Sequence, residues 1–191
     1  EDLKNLIESR ADTLDVYADL TDLGSTVEGV TEFRPGKKPR VYIATQLTED
    51  GHRENRLRTT LSHEFGHVHF HGYLWDLEPA PAPALTPTAG AAQKIICKRD
   101  TILDARASDW MEWQAGYVCG AILMPKGAIT ALCQQHAEEA GRNGPAQAKT
   151  REGLDLIAAV KTTFQVSEEA ARIRLLKLQF LTDSPNRPLF G

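Results

Sequence analysis

The sequence predicts an α+β fold, mostly helical, with a small antiparallel sheet. Three observations predict it. Apolar residues recur at helical spacing in several stretches along the chain. Two short extended stretches flank the turn-like run Pro35-Gly36-Lys37-Lys38-Pro39, as in a β-hairpin or meander. The 191 residues are 41% apolar and 25% charged, the balance of a chain that can bury a core. That length predicts a single domain over residues 1–191.

The elements follow in order. Leu3, Leu6, Ile7, Leu14, Tyr17 and Leu20 lie near helical spacing, so residues 1 to about 22 predict a helix that Gly24 ends. Strands are expected over about Thr26–Phe33 and Arg40–Ala44. A second helix is expected from about Glu54 to Phe70, with Leu57, Leu61, Phe65 and Val68 on one side. Residues of about 75–107 show little periodicity, and Glu78 to Gln93 is rich in proline and alanine. This segment predicts an extended insertion rather than a packed element. Helices then follow over about 108–123, ending at Met124-Pro125, and over Lys126–Glu139. A further helix is expected near 151–163, and a last one over Val166–Leu181 with Ser167 as its cap.

Composition narrows the function classes. A net charge of -4 is too mild to suggest a polyanion-binding protein, though it leaves room for a local basic patch, and direct nucleic-acid binding is not expected. The clusters Lys37-Lys38-Arg40 and Arg53-Arg56-Arg58 are consistent with solvated faces. No apolar run reaches the length of a membrane span, and the start Glu1-Asp2-Leu3-Lys4 lacks a signal layout. Cys97, Cys119 and Cys133 are odd in number and widely spaced, which fits reduced thiols in a cytoplasm.

The chemistry concentrates at His63-Glu64-Phe65-Gly66-His67. Histidines four apart on a helix lie side by side, about 6 Å apart along the axis. Two imidazole nitrogens can then share one tetrahedral zinc ion. Glu64 sits about 100° further around the helix, beside the metal. There it can take a proton from the attacking water and pass it to a leaving amine. A metal lowers the pKa of that water and polarises a scissile carbonyl, so the pattern points to peptide hydrolysis. Gly66 in a helix interior makes sense if another backbone or a substrate must come close.

Such a site needs a third protein ligand. The candidates are His69, His71, His136, Asp104, Asp109 and Glu112. His69 points elsewhere on the helix, and His71 lies one turn too far from His63 to share an ion. The metzincin arrangement needs a histidine where Tyr73 stands. Glu112 fits best, because Ala115, Gly116 and Cys119 give its helix a small-residue face for close approach. The other reading of Glu112 is a solvated glutamate favoured by the dipole at a helix start.

At this point the chain resembles the ImmA/IrrE-type metallopeptidases. Two blocks carry the likeness. Leu61-Ser62-His63-Glu64-Phe65-Gly66-His67-Val68-His69-Phe70-His71 is similar to the family's "HELGHxxxH" helix. Glu112-Trp113-Gln114-Ala115-Gly116-Tyr117-Val118-Cys119-Gly120-Ala121-Ile122-Leu123-Met124-Pro125 is similar to its "ExxANxFAxxLLMP" segment. The stretch Phe164-Gln165-Val166-Ser167, with Arg172 and Leu175, also looks like the family. The resemblance implies a cytoplasmic, zincin-like α+β domain with zinc as cofactor, replaceable in vitro by manganese. His63, His67 and Glu112 would match the metal ligands, and Glu64 the catalytic base. Members typically cleave a helix-turn-helix repressor and so switch on stress or mobile-element genes. The implied partner is therefore a protein substrate, with no membrane involved.

Two features depart from the family pattern. Gly116 stands where the family has Asn or Asp, a residue able to orient a histidine ligand. Asp104 and Asp109 are candidate replacements. The insertion of about 75–107 separates the two blocks, and Cys97 within it is expected to be an ordinary thiol rather than a cap on the metal. Two other functions fit the same residues: a catalytically weak or inactive zincin-fold module that binds and regulates a partner, and a zinc hydrolase of a small substrate.

Overall fold

The computed structural model describes residues 2–75, 93–98 and 109–183. It is α+β, with two compact units, Glu1–Cys119 and Gly120–Gly191. Among the described residues no single helix is long and apolar enough to cross a membrane.

The first unit starts with α1 (Asp2–Glu8), which buries Ile7, and β1 (Thr13–Ala18). This corrects the single helix expected to about residue 22. Leu14, Tyr17 and Leu20 keep a three-residue spacing, but Thr13-Leu14-Asp15-Val16 also alternates polar and apolar residues. The backbone of this stretch pairs with a neighbouring strand, and tertiary pairing outweighs so weak a periodicity. β2 (Val27–Arg34) and β3 (Lys37–Ala44) form the expected hairpin. Its loop is shorter than expected. Arg34 pairs with Lys37, leaving Pro35-Gly36 as the two loop residues, and Gly36 takes φ 65. Proline with its fixed φ, followed by a glycine at positive φ, suits such a turn.

The sheet order is β1-β3-β2-β4. It is mixed rather than antiparallel, because β1 runs parallel to β3 while β2 is antiparallel to both β3 and β4. β4 (Gln93–Lys98) is a second correction, since it lies inside the segment expected to be an unstructured insertion. Ile95 and Ile96 supply the β-branched pair, and β2 supplies the backbone partners. The rest of that insertion, with Asp104, lies outside the described residues. A short helix α2 (Thr45–Thr48) leads to α3 (Glu54–His71), which has nearly the expected bounds. The core of this unit includes Ile7, Val27, Phe33, Val41, Ile43, Leu47, Leu61 and Val68. Phe33 stacks on Trp75, with ring centroids 4.1 Å apart. Helix α4 (Trp110–Leu123) begins in this unit.

The second unit contains α5 (Lys126–Glu139), β5 (Ala146–Gln147), α6 (Arg151–Phe164), α7 (Glu168–Lys177) and β6 (Leu181–Thr182). Thr150 and Ser167 cap α6 and α7 through their hydroxyls. The last helix is shorter than the Val166–Leu181 expected. Gln179 takes φ 63, which breaks the helix, and Leu181 turns back to pair with Ala146. Leu156, Ile157, Val160, Ala171 and Leu175 form the core of this unit.

Candidate metal centre

The centre is built on α3. Residues Thr60 to Val68 of this helix are all buried, with polar side chains among them. At 3.6 residues per turn, His63, His67 and His71 follow one another down the same stripe. Glu112 comes from the first turn of α4. Two glycines allow the approach of neighbouring backbone. A Cβ on Gly66 would lie 2.9 Å from Ala115 Cα and 3.2 Å from its carbonyl oxygen, so α3 and α4 touch backbone to side-chain-free backbone there. A Cβ on Gly29 of β2 would lie 2.9 Å from Glu64 Cδ, so glycine leaves room for that carboxylate.

His63, His67 and Glu112 meet in one buried group. Their ligand atoms all lie within 4.8 Å of one another, and the group can hold a metal ion. His63 Nε2 and His67 Nε2 are 3.0 Å apart. Glu112 Oε2 is 3.1 Å from His63 Nε2, and Oε1 is 3.1 Å from His67 Nε2. Zinc–nitrogen bonds of about 2.0–2.1 Å at tetrahedral angles place two donors about 3.3 Å apart, close to what the side chains adopt. The donor set is also chemically suited. Two ring nitrogens and a carboxylate converge on one point out of contact with solvent, where an uncompensated lone-pair cluster would be costly. Burial pushes the Glu112 carboxyl up, but while no metal takes the Nε2 lone pairs, hydrogen bonds from His63 and His67, helped by their charges, outweigh it and hold it at about 2. The carboxylate is thus the stable form, as a ligand requires.

Glu64 is buried and stands outside this group. Its Oε2 accepts a hydrogen bond from the Thr31 hydroxyl on β2. His71 is fully buried behind His67. The Nδ1 atoms of the two rings are 3.1 Å apart, and His71 Nε2 is 3.0 Å from Gln114 Oε1 on α4. Burial is the main cause holding the His71 pKa below its ordinary value, which favours the neutral ring. Trp110 meets this ring edge-on at 5.2 Å.

The other candidate ligands fall elsewhere. His69 is exposed and stacks on Phe65. Asp109 Oδ1 accepts from the Glu112 backbone N–H, the place of a helix cap. His136 belongs to the second unit. Cys119 is buried, which pushes its thiol up to about 12, and its Sγ donates to the Thr59 carbonyl. No family model and no curated protein matches the chain.

The sequence reading did not anticipate Thr31, Gly29 or Gln114 as neighbours of the site. Gly29 alone carried a signal: a glycine inside a strand pattern often marks a close approach.

Proposed function

We propose that the chain is a zinc-dependent endopeptidase of the ImmA/IrrE type that cleaves a regulatory protein, with a helix-turn-helix repressor as substrate. The observation that carries the reading is the buried convergence of His63, His67 and Glu112, with Glu64 one residue after the first of them. A zinc ion bound there would act as a Lewis acid and lower the pKa of a water to about 7.

The remaining chemistry belongs to the side chains. His63, His67 and Glu112 supply three donors, which leaves a fourth tetrahedral position for water or substrate. Glu64 acts as general base and then as acid: it takes the proton of the attacking water on a carboxylate oxygen and returns it to the amine of the departing peptide. Thr31 holds the other end of that carboxylate, so Glu64 keeps one orientation through both transfers. The burial of these side chains strengthens each electrostatic interaction among them.

The test is a cleavage assay. The purified chain is incubated with zinc or manganese and with purified helix-turn-helix repressors as candidate substrates, and the products are read by mass spectrometry. One internal cut is expected with wild type and none with Glu64→Gln. A Glu64→Gln protein that cuts as well as wild type would overturn the mechanism, and no cut under either metal would overturn the substrate.

A further inference from the structure

We propose that His71 and Gln114 are positioning residues for His67, and that they fix the tautomer and ring orientation that metal ligation requires. The inference rests on the reading of His63, His67 and Glu112 as metal ligands. The two nitrogens of His67 face different ways. Nε2 lies 3.0 Å from His63 Nε2 and 3.1 Å from Glu112 Oε1, so it faces the metal position. Nδ1 lies 3.1 Å from His71 Nδ1. His71 Nε2 in turn lies 3.0 Å from Gln114 Oε1. A continuous chain thus runs from the metal position through two buried rings to an amide on α4.

Only one placement of protons makes this chain compatible with ligation. A ring nitrogen binds metal through its lone pair, so His67 Nε2 carries no proton and the neutral ring keeps its proton on Nδ1. That N–H donates to His71 Nδ1, which must offer a lone pair. The proton of His71 therefore sits on Nε2 and donates to Gln114 Oε1, an atom that only accepts. Turning the Gln114 amide over reverses every link. Its NH₂ would donate to His71 Nε2, His71 would donate from Nδ1, and His67 would carry its proton on Nε2, facing the metal. The amide end of the chain decides whether His67 can be a ligand.

The fold holds this arrangement firmly. His71 is fully buried, with Trp110 edge-on against it. Gln114 lies two residues after Glu112, so α4 delivers both the third ligand and the end of the relay. Gly116 has no side chain with which to orient a ligand, and Gln114 does so through His71 instead. An acceptor behind a ligating histidine typically changes metal affinity by about 10–100-fold.

The experiment is a zinc competition titration of the full chain against a chromophoric chelator, with visible absorption of the cobalt-loaded protein as second readout. Gln114→Met keeps size and loses the acceptor. Gln114→Glu keeps an acceptor and cannot donate. His71→Phe removes the relay. Zinc affinity should fall about 10–100-fold in Gln114→Met and His71→Phe, with an altered cobalt spectrum. Gln114→Glu should keep wild-type affinity within a few-fold and the wild-type spectrum. Gln114→Met binding as tightly as wild type overturns the inference and leaves the metal reading standing. So does Gln114→Glu as weak as Gln114→Met. If His71→Phe fails to fold, the Gln114 pair decides alone. A wild-type chain that takes up no zinc overturns the metal reading, and the inference with it.

Discussion

Gly66 of α3 faces the backbone of Ala115 in α4, and a Cβ at Gly66 would lie 2.9 Å from Ala115 Cα. The atom in the way is main chain and cannot rotate aside. Gly66→Ala gains about 1 kcal/mol of helix propensity, but overpacking costs about 1–3 kcal/mol. The expected net result is destabilisation by about 1 kcal/mol, read from denaturant midpoints. Zinc affinity should fall as well, because the same approach brings Glu112 to the histidines. Gly127→Ala is the control: nothing lies within 4 Å of its Cβ on α5, so that change should stabilise by up to about 1 kcal/mol. Equal effects of the two substitutions would refute the close-packing argument.

The Thr31–Glu64 hydrogen bond predicts a separation of metal binding from turnover. Glu64→Gln should keep zinc and lose about 10²–10⁴ in kcat, the usual share of general acid–base catalysis. Thr31→Val removes a hydrogen bond to a charged group, worth about 1.5–3 kcal/mol. It should slow turnover by about one to two orders of magnitude, and Thr31→Ser should restore most of it. Zinc content by atomic emission should be unchanged in all three. Loss of zinc in Thr31→Val would place that residue in the fold of the metal centre instead of in the reaction.

Metal removal should cost stability, because it leaves two imidazoles and a carboxylate buried together without their shared cation. Free zinc at 100 times Kd adds about 2.7 kcal/mol to folding. For a chain of this size that corresponds to about 5–10 °C in Tm, lost on adding chelator and regained with one zinc per chain. Glu112→Ala should abolish both the binding and the chelator effect. A melting temperature indifferent to chelator would count against a bound metal and favour a partner-binding module.

The site and the helices were legible in the sequence to different degrees than the sheet. Four-residue spacing alone placed His63 and His67 on one stripe, and small residues around Glu112 announced a close helix contact. The Lys126–Glu139 helix is bounded by Pro125 and Gly141, which any reading sees. The residues that hold the site in shape were not legible. Thr31 reaches Glu64 across 33 residues, and Gln114 reaches His71 across 43, and neither pairing leaves a local pattern. β1 was misread because six residues with one apolar alternation satisfy helix and strand periodicity alike. Only its pairing with β3 decides, and that is a long-range event. β4 hid for the same reason, behind a proline-rich approach.

The junction between α1 and β1 yields a prediction in pH. Asp12 accepts from Arg34 Nη2 at 2.7 Å and from Arg40 Nε at 3.2 Å, and its own N–H donates to the Pro39 carbonyl. The hydrogen bond from Arg34, then that from Arg40, holds the Asp12 carboxyl below the usual carboxylate range. A depressed folded-state value means that the unfolded chain takes up the proton first as pH falls. The stability that Asp12 contributes is therefore fully present above its unfolded pKa of about 3.9 and is lost as pH drops below it. The difference in stability between wild type and Asp12→Asn should be flat from pH 7 to about pH 5, then shrink toward zero in stronger acid. Asp12 is exposed and both arginines are partly so, and 1 M salt, with a screening length of about 3 Å, should shrink it at neutral pH too. Urea melts of both proteins at each pH and salt concentration check both expectations. A gap that widens in acid would mean that the arginines hold the β2–β3 hairpin without help from the Asp12 charge.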